Sequence, residues 1–227
     1  MGIFHKNPEA ILFEVNIFPL RNMILFPGAL MPLHIFEDRY KAMTEDSLAK
    51  RIPIATSHDP DVDIIVPGMI CGGGKVTVVD EFPDHRKNIL LEGNSRYRIK
   101  KILQEKPFLK VMAEKIEDVP FVNAAVESSY LEKLTVEVKR WIFSNPNLDD
   151  GLLNYIFIFE KPHQLADFIG GHFLPSLSLK QKLLEEPDQA KRVIFIHEFL
   201  SEQLKKFALM SEMQPGLFGA FDKSELH

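Results

Sequence analysis

Apolar and polar positions change their period partway along the chain. From about Phe13 to Asp118 they alternate in short runs broken by glycine and proline, the spacing of half-buried strands. FEVNIF alternates and stops at Pro19, which has no N–H to give a ladder. MILF runs into Pro27-Gly28, a turn signal, and ALMPLHIF follows as a second extended stretch. EDRYKAMTEDSLAK is the helical segment of this half. Its apolar stripe is Tyr40, Met43 and Leu48, and acidic residues stand at its start, where the helix dipole favours them. RIPIATS returns to strand. KVTVVDEF is rich in β-branched residues, and NILLEGNSRYRIKKI reads as two strands with Gly93-Asn94 as the turn. In RYRIK, Tyr97 and Ile99 alternate with Arg96, Arg98 and Lys100; in LKVMAEK, Leu109, Val111 and Ala113 alternate with Lys110, Met112 and Glu114. Strands in succession joined by short turns predict an antiparallel, closed or nearly closed sheet.

From Val119 the period becomes helical. Leu131, Leu134, Val138, Trp141 and Ile142 form one stripe, ended at Asn145-Pro146-Asn147. LLNYIFIF fits a buried helix or a strand. Pro162 suits the first turn of a helix running to Ile169 and closed by Gly170-Gly171, and Ser178 with Gln181 fits a capping box. A last long helix starts at Pro187, puts Val193, Ile196, Phe199, Leu200, Leu204 and Phe207 on one face, and ends at Pro215-Gly216. The expected organisation is a β-rich region over 1–118, a helical bundle over 119–211 and a tail over 212–227. Leu217, Phe218 and Phe221 make the tail apolar enough to dock on its own domain or to touch another chain, the first being the commoner fate of apolar surface.

Composition narrows the function classes. Apolar residues are 45% and charged residues 26% of 227, an ordinary globular balance with enough core to fold without staples. A net charge of −5 argues against bulk affinity for nucleic acid or anionic membrane. Cys71 is the single cysteine, so no internal disulfide or cysteine-rich zinc site can form. No secretory signal is visible, and no apolar run approaches the roughly 20 residues that span a bilayer. The chain is expected to be cytoplasmic.

Candidate chemistry does not assemble. Gly72-Gly73-Gly74-Lys75 lacks the first glycine of a phosphate loop, where Met69 stands, and Val76 cannot ligate magnesium. A hairpin or bulge is the better reading. Asp59, Asp61 and Asp63 resemble the start of a calcium loop, but Ile64 and Ile70 occupy its glycine and glutamate positions. The eight histidines are scattered, and His197-Glu198 is followed by Ser201 where a zinc protease needs histidine. Cys71 has no local nucleophile signature and there is no GxSxG elbow. No cofactor, metal or catalytic residue is expected.

The segment IFPLRNMILFPGALMPLHIFEDRYKAM resembles the opening of the Lon protease substrate-binding domain: Pro19-Leu20-Arg21, Met23-Ile24-Leu25, Phe26-Pro27-Gly28 and Pro32-Leu33 in order. LLEGNSRYRIKKI, with Gly93, Arg96 and Arg98, is similar to a second block of that family. The stretch from Gln164 to Leu204, with Lys180, Gln181, Leu183 and Leu184, is similar to its helical end. The resemblance covers about residues 12 to 210. It implies an α+β fold, a PUA-like antiparallel β-barrel followed by a helical bundle, in a non-catalytic module that stands without the ATPase and peptidase of full-length Lon. The partners implied are unfolded or apolar protein segments and a protease or chaperone that would receive them, with the chain itself a monomer or weak homodimer. Phe26, Met31, Phe36, Met69 and Phe82 flank turns of the β half and are the candidate walls of a protein-binding groove. The rival reading is RNA binding, since PUA-like folds include RNA binders and Arg96, Arg98, Lys100, Lys101, Lys106, Lys110 and Lys115 are basic. Acidic neighbours Glu92, Glu105 and Glu114 and the scarcity of aromatics weigh against it.

Overall fold

A computed structural model of the chain describes residues 11–57, 65–149 and 151–213. The aspartates at 59, 61 and 63 and the tail residues Leu217, Phe218 and Phe221 lie outside the described residues, as does the proposed stop at Pro215-Gly216. Two compact units are formed. One comprises the chain up to Pro120 together with Ala166–Arg192, and the other comprises Phe121–Leu165 with the chain from Val193 onward.

In the first unit, the strands are β1 (Leu12–Pro19), β2 (Leu30–Ile35), β3 (Ile54–Ser57), β4 (Ile70–Glu81), β5 (Lys87–Gln104) and β6 (Leu109–Ile116), with helix α1 (Asp38–Lys50) between β2 and β3. Sheet order is β2-β5-β4-β3-β1-β6, and β5 also pairs with β6. Five strands therefore close on one another, and β2 hangs on β5 as an edge. The pairs are antiparallel except β1 with β3, which run parallel. The connection through β2 and α1 is long enough to return the chain to the same end of the sheet. The expected α+β architecture is present, with one parallel pair inside it.

Alternation sets the core. Val15, Ile17, Tyr97, Ile99, Leu109, Val111 and Ala113 point inward around Cys71, and Met31, Ile35, Ile89, Leu91, Phe18 and Phe108 form a second cluster with Tyr40 and Met43 of α1. The buried face of α1 is Tyr40, Met43, Thr44 and Ser47, while Leu48 is exposed. Ser47 earns its place by accepting from the Asn16 side chain at 2.8 Å. Gly93-Asn94 is no turn: β5 runs straight through it. A Cβ on Gly93 would lie 2.1 Å from the Phe26 carbonyl, so the glycine admits a crossing chain. Gly72 and Gly73 lie inside β4 and Gly74 follows a bulge; a Cβ at Gly72 would fall 1.6 Å from the Leu25 carbonyl.

Helix α4 (Pro162–Phe173) runs through Gly170-Gly171 instead of stopping there. Gly171 meets the Phe26 ring, and a Cβ there would come within 3.1 Å of it. Helix α5 (Leu177–Glu185) is capped by Ser176, which accepts from Leu179 N–H at 3.2 Å, two residues before the expected Ser178. In the second unit, α2 (Ala124–Ser144) is capped by Asn123 and buries Leu134, Val138, Trp141 and Ile142 as one stripe. LLNYIFIF resolves into a short helix α3 (Leu152–Ile156) with Tyr155, Phe157 and Ile158 exposed. Helix α6 (Gln189–Met213) buries Val193, Ile196 and Leu200, and Phe199 meets Trp141 edge-on at 6.2 Å. None of the described helices is long and apolar enough to cross a membrane.

Candidate protein-binding surface

The edge strand β2 carries exposed apolar side chains next to a cleft. Strand period puts Met31, Leu33 and Ile35 toward the core and Leu30, Pro32 and His34 outward, and Phe36 continues that outer row. Phe36 is 60% and Leu30 61% exposed. The His34 ring stacks on Phe36 at 6.2 Å and meets the Phe82 ring edge-on at 5.9 Å, making an aromatic row across β2 and the β4–β5 hairpin. Asn88 on β5 orients His34 by accepting from its Nδ1 through Oδ1 at 2.8 Å, and Asp80 accepts from the Asn88 amide nitrogen at 3.2 Å. Arg86 lies over the Phe82 ring at 5.5 Å.

A cleft of about 400 Å³ opens beside this row, between Phe18–Arg21 at the end of β1, Leu33–Phe36 of β2 and the start of α1. Phe18 and Tyr40 form its floor, with ring centroids 4.3 Å apart. Burial pushes the Tyr40 hydroxyl above its ordinary pKa, and the Arg39 guanidinium over its ring, 4.5 Å from the centroid, opposes that shift. Arg39 is held by Glu37 at 2.7 Å. Arg21, exposed at the rim, has no ion-pair partner among the described residues.

Of the five residues singled out from the sequence, the fold brings Phe36 and Phe82 together around His34. Phe26 is 1% and Met31 7% exposed, so both belong to the core: Phe26 seats Gly171, and Met31 lies on the inward face of β2. Met69 packs half-buried on the other core cluster, around Ile99 and Cys71. His34 and Arg21 were not singled out. The outward alternation of residues 30, 32, 34 and 36 was the available signal.

The basic residues of β5 divide sharply. Arg96 is buried, donates from Nη2 to both carboxylate oxygens of Asp167 at 2.7 and 2.9 Å and from Nε to the Leu184 carbonyl at 3.0 Å, and lies 3.3 Å from Asp118. Arg192, fully buried, grips Asp118 at 2.6 Å and lies 3.2 Å from Asp167. Burial pushes the Asp167 carboxyl up against the pull of both guanidiniums. At Asp118 burial acts the same way, but Arg192 and Arg96 win and hold it below the carboxylate range. This cluster fastens residues 166–192 to the strands. Arg98 and Lys100 both lean on Glu114, at 3.6 and 2.6 Å. Cys71 is buried and its thiol is pushed up to about 12, which leaves no thiolate for chemistry.

The second unit has its own groove of about 690 Å³ between α2 and α6, with Leu134, Val136, Val193 and Ile194 on its walls. His197 and Glu137 already pair across it at 2.6 Å.

Comparison with known proteins agrees with the fold. The family described as the ATP-dependent protease La (LON) substrate-binding domain matches residues 14–202. Lon protease 2 of Bdellovibrio bacteriovorus is 27% identical over 213 residues, covering 91% of this chain and 27% of that protein. Lon protease of Koribacter versatilis is 27% identical over 228 residues, 94% of this chain and again 27% of the relative. The chain thus spans about a quarter of the length of these relatives. A Lon N-terminal domain protein from Xanthomonas campestris has the same fold at 20% identity and a TM-score of 0.56, over 83% of this chain and 97% of that one. The N-terminal domain of a Mycobacterium avium complex Lon protease matches with a TM-score of 0.55 at 19% identity, over 85% and 98% of the two chains. The chain belongs to the Lon substrate-binding domain family.

Proposed function

We propose, from that membership, that this chain is a non-catalytic recognition module of the cytoplasm that binds unfolded or apolar protein segments through the aromatic row and cleft beside β2. The observation that carries the reading is the aromatic row of exposed Phe36, exposed His34 and half-buried Phe82, adjoining a cleft floored by Phe18 and Tyr40. Aromatic rings give large contact area at small entropic cost, which suits contacts with varied segments. The work is done by desolvating apolar surface, with no bond made or broken. A protease or chaperone is the natural receiver of such segments. The RNA alternative loses Arg96, which is buried among carboxylates and has no face for a phosphate.

The test is binding of a fluorescently labelled, chemically unfolded protein, without nucleotide. Micromolar affinity is expected, falling roughly tenfold in the Phe36→Ala, Phe82→Ala double variant. Absence of client binding at high concentration would overturn the reading. Binding that ignores the double variant would remove this surface from it.

A further inference from the structure

We infer that the segment bound is extended, pairs with the open edge of β2 as an added strand, and sets an Asp or Glu side chain against Arg21. This rests on the protein-binding reading above and names the class of segment.

Three observations converge on it. The first is backbone direction. Gly93 N–H donates to the Ala29 carbonyl at 2.9 Å, and the register pairs Leu30 with Glu92 through Ile35 with Lys87. In an antiparallel ladder the residues that exchange bonds alternate with residues that face away. Residues 31, 33 and 35 therefore face β5, and residues 30, 32 and 34 turn their peptide groups to the free side. Among the described residues no strand pairs with that side. Leu30 and His34 offer N–H groups there, and Leu30, Pro32 and His34 offer carbonyls. Pro32 lacks the middle donor, which weakens self-pairing of such edges and still leaves most of a ladder for an incoming segment.

The second is the cleft beside that edge, where Leu20, Leu33 and Phe36 surround the Phe18–Tyr40 floor and can take a large apolar side chain from the added strand. The third is charge. Arg39 at the cleft is neutralised by Glu37, whereas Arg21 stands exposed without a carboxylate among the described residues. A guanidinium uncompensated among the described residues, at a cleft with an apolar floor, selects a segment with an acidic residue near its apolar anchor, and a bidentate carboxylate is the best fit to its planar donors.

The experiment uses the full chain and a labelled peptide of Val, Leu and Phe carrying two Glu residues, amidated so that only side chains supply carboxylate. Its counterparts have Gln or Lys in place of Glu, and a further set has single backbone N-methyl groups placed along the peptide. Anisotropy titration at low salt is expected to show the Glu peptide bound about fivefold tighter than the Gln peptide. The order of the Glu and Lys peptides should reverse in Arg21→Glu. N-methylation should abolish binding at every second amide and leave the amides between them unaffected. Peptide binding indifferent to both changes overturns the inference while the protein-binding reading stands, as does client binding when none of these peptides binds. Failure of the peptides and of the unfolded client together overturns both. A dimer in sedimentation that the peptides cannot dissociate gives the edge to a second copy and also overturns the inference.

Discussion

Strand β5 has two halves with the same alternating grammar and opposite fates. Its first half, Lys87–Glu92, lies between β4 and the edge strand β2, and the outer face there stays open to solvent around His34, Phe36 and Phe82. Its second half, from Gly93 on, lies between β4 and β6, and its outward Arg96 is sealed by residues 166–192. Each half buries a cation. Lys87 is held by Glu81 at 3.1 Å and Glu45 at 3.3 Å, and although burial lowers its pKa, the two carboxylates raise it overall. Arg96 instead needs Asp167, a residue of a helix far along the chain. The half that is covered carries stability, and the half that is left uncovered carries the candidate recognition surface.

The largest effect is expected at the covered half. Asp167→Ala leaves two buried guanidiniums to share the single carboxylate of Asp118, and unpairing a buried ion pair costs about 3–5 kcal/mol. Urea denaturation should show that loss, and a combined Arg96→Met, Asp167→Leu variant should recover a large part of it. An Asp167→Ala protein of unchanged midpoint would mean that water reaches the cluster. The glycines of the same region come next. Gly72→Ala drives a Cβ into the Leu25 carbonyl, and overpacking against backbone costs roughly 1–3 kcal/mol, visible as a lowered thermal midpoint.

A smaller effect separates the acid limb of the stability curve. Burial would raise the Asp46 carboxyl, but hydrogen bonds from Lys110, Lys50 and Asn16 bring it from 3.8 to about 2. A depressed folded pKa stabilises the protein above the unfolded value and loses that contribution as pH falls from about 3.8 through about 2. Asp46→Asn should therefore cost on the order of 1 kcal/mol at neutral pH, and its curve should meet that of the parent near pH 2. Equal spacing of the curves at every pH would show that the ion pairs contribute nothing. At the uncovered half, Phe36→Ala should leave stability within about 0.5 kcal/mol and lower client affinity, so that chemical denaturation and anisotropy give opposite answers for the same residue.

Much of this fold is legible locally. The alternation of Leu109, Val111 and Ala113 and the stripe of Leu134, Val138, Trp141 and Ile142 predict strand and helix, and those residues are buried. The misreadings concern neighbours. Gly93-Asn94 has the composition of a turn, but the Phe26 carbonyl passing over it explains the glycine better. Gly170-Gly171 resembles a helix stop, yet Gly171 seats the Phe26 ring within α4. Phe26 flanks a Pro-Gly turn and looks available for binding, but it is the hub on which these glycines converge.

Period is a property of the chain alone, so the sequence by itself determined that a strand-rich region precedes a helical one and that the family is the Lon substrate-binding domain. Only the tertiary structure decided which cation is entombed and which stands exposed. Arg96 finds Asp167 71 positions further along, whereas Arg21 finds no carboxylate among the described residues, and the two arginines are indistinguishable by local composition. Partnership across such distances depends on which strand is left at the edge and which helix folds back, and sheet closure through β5 and β6 settles both.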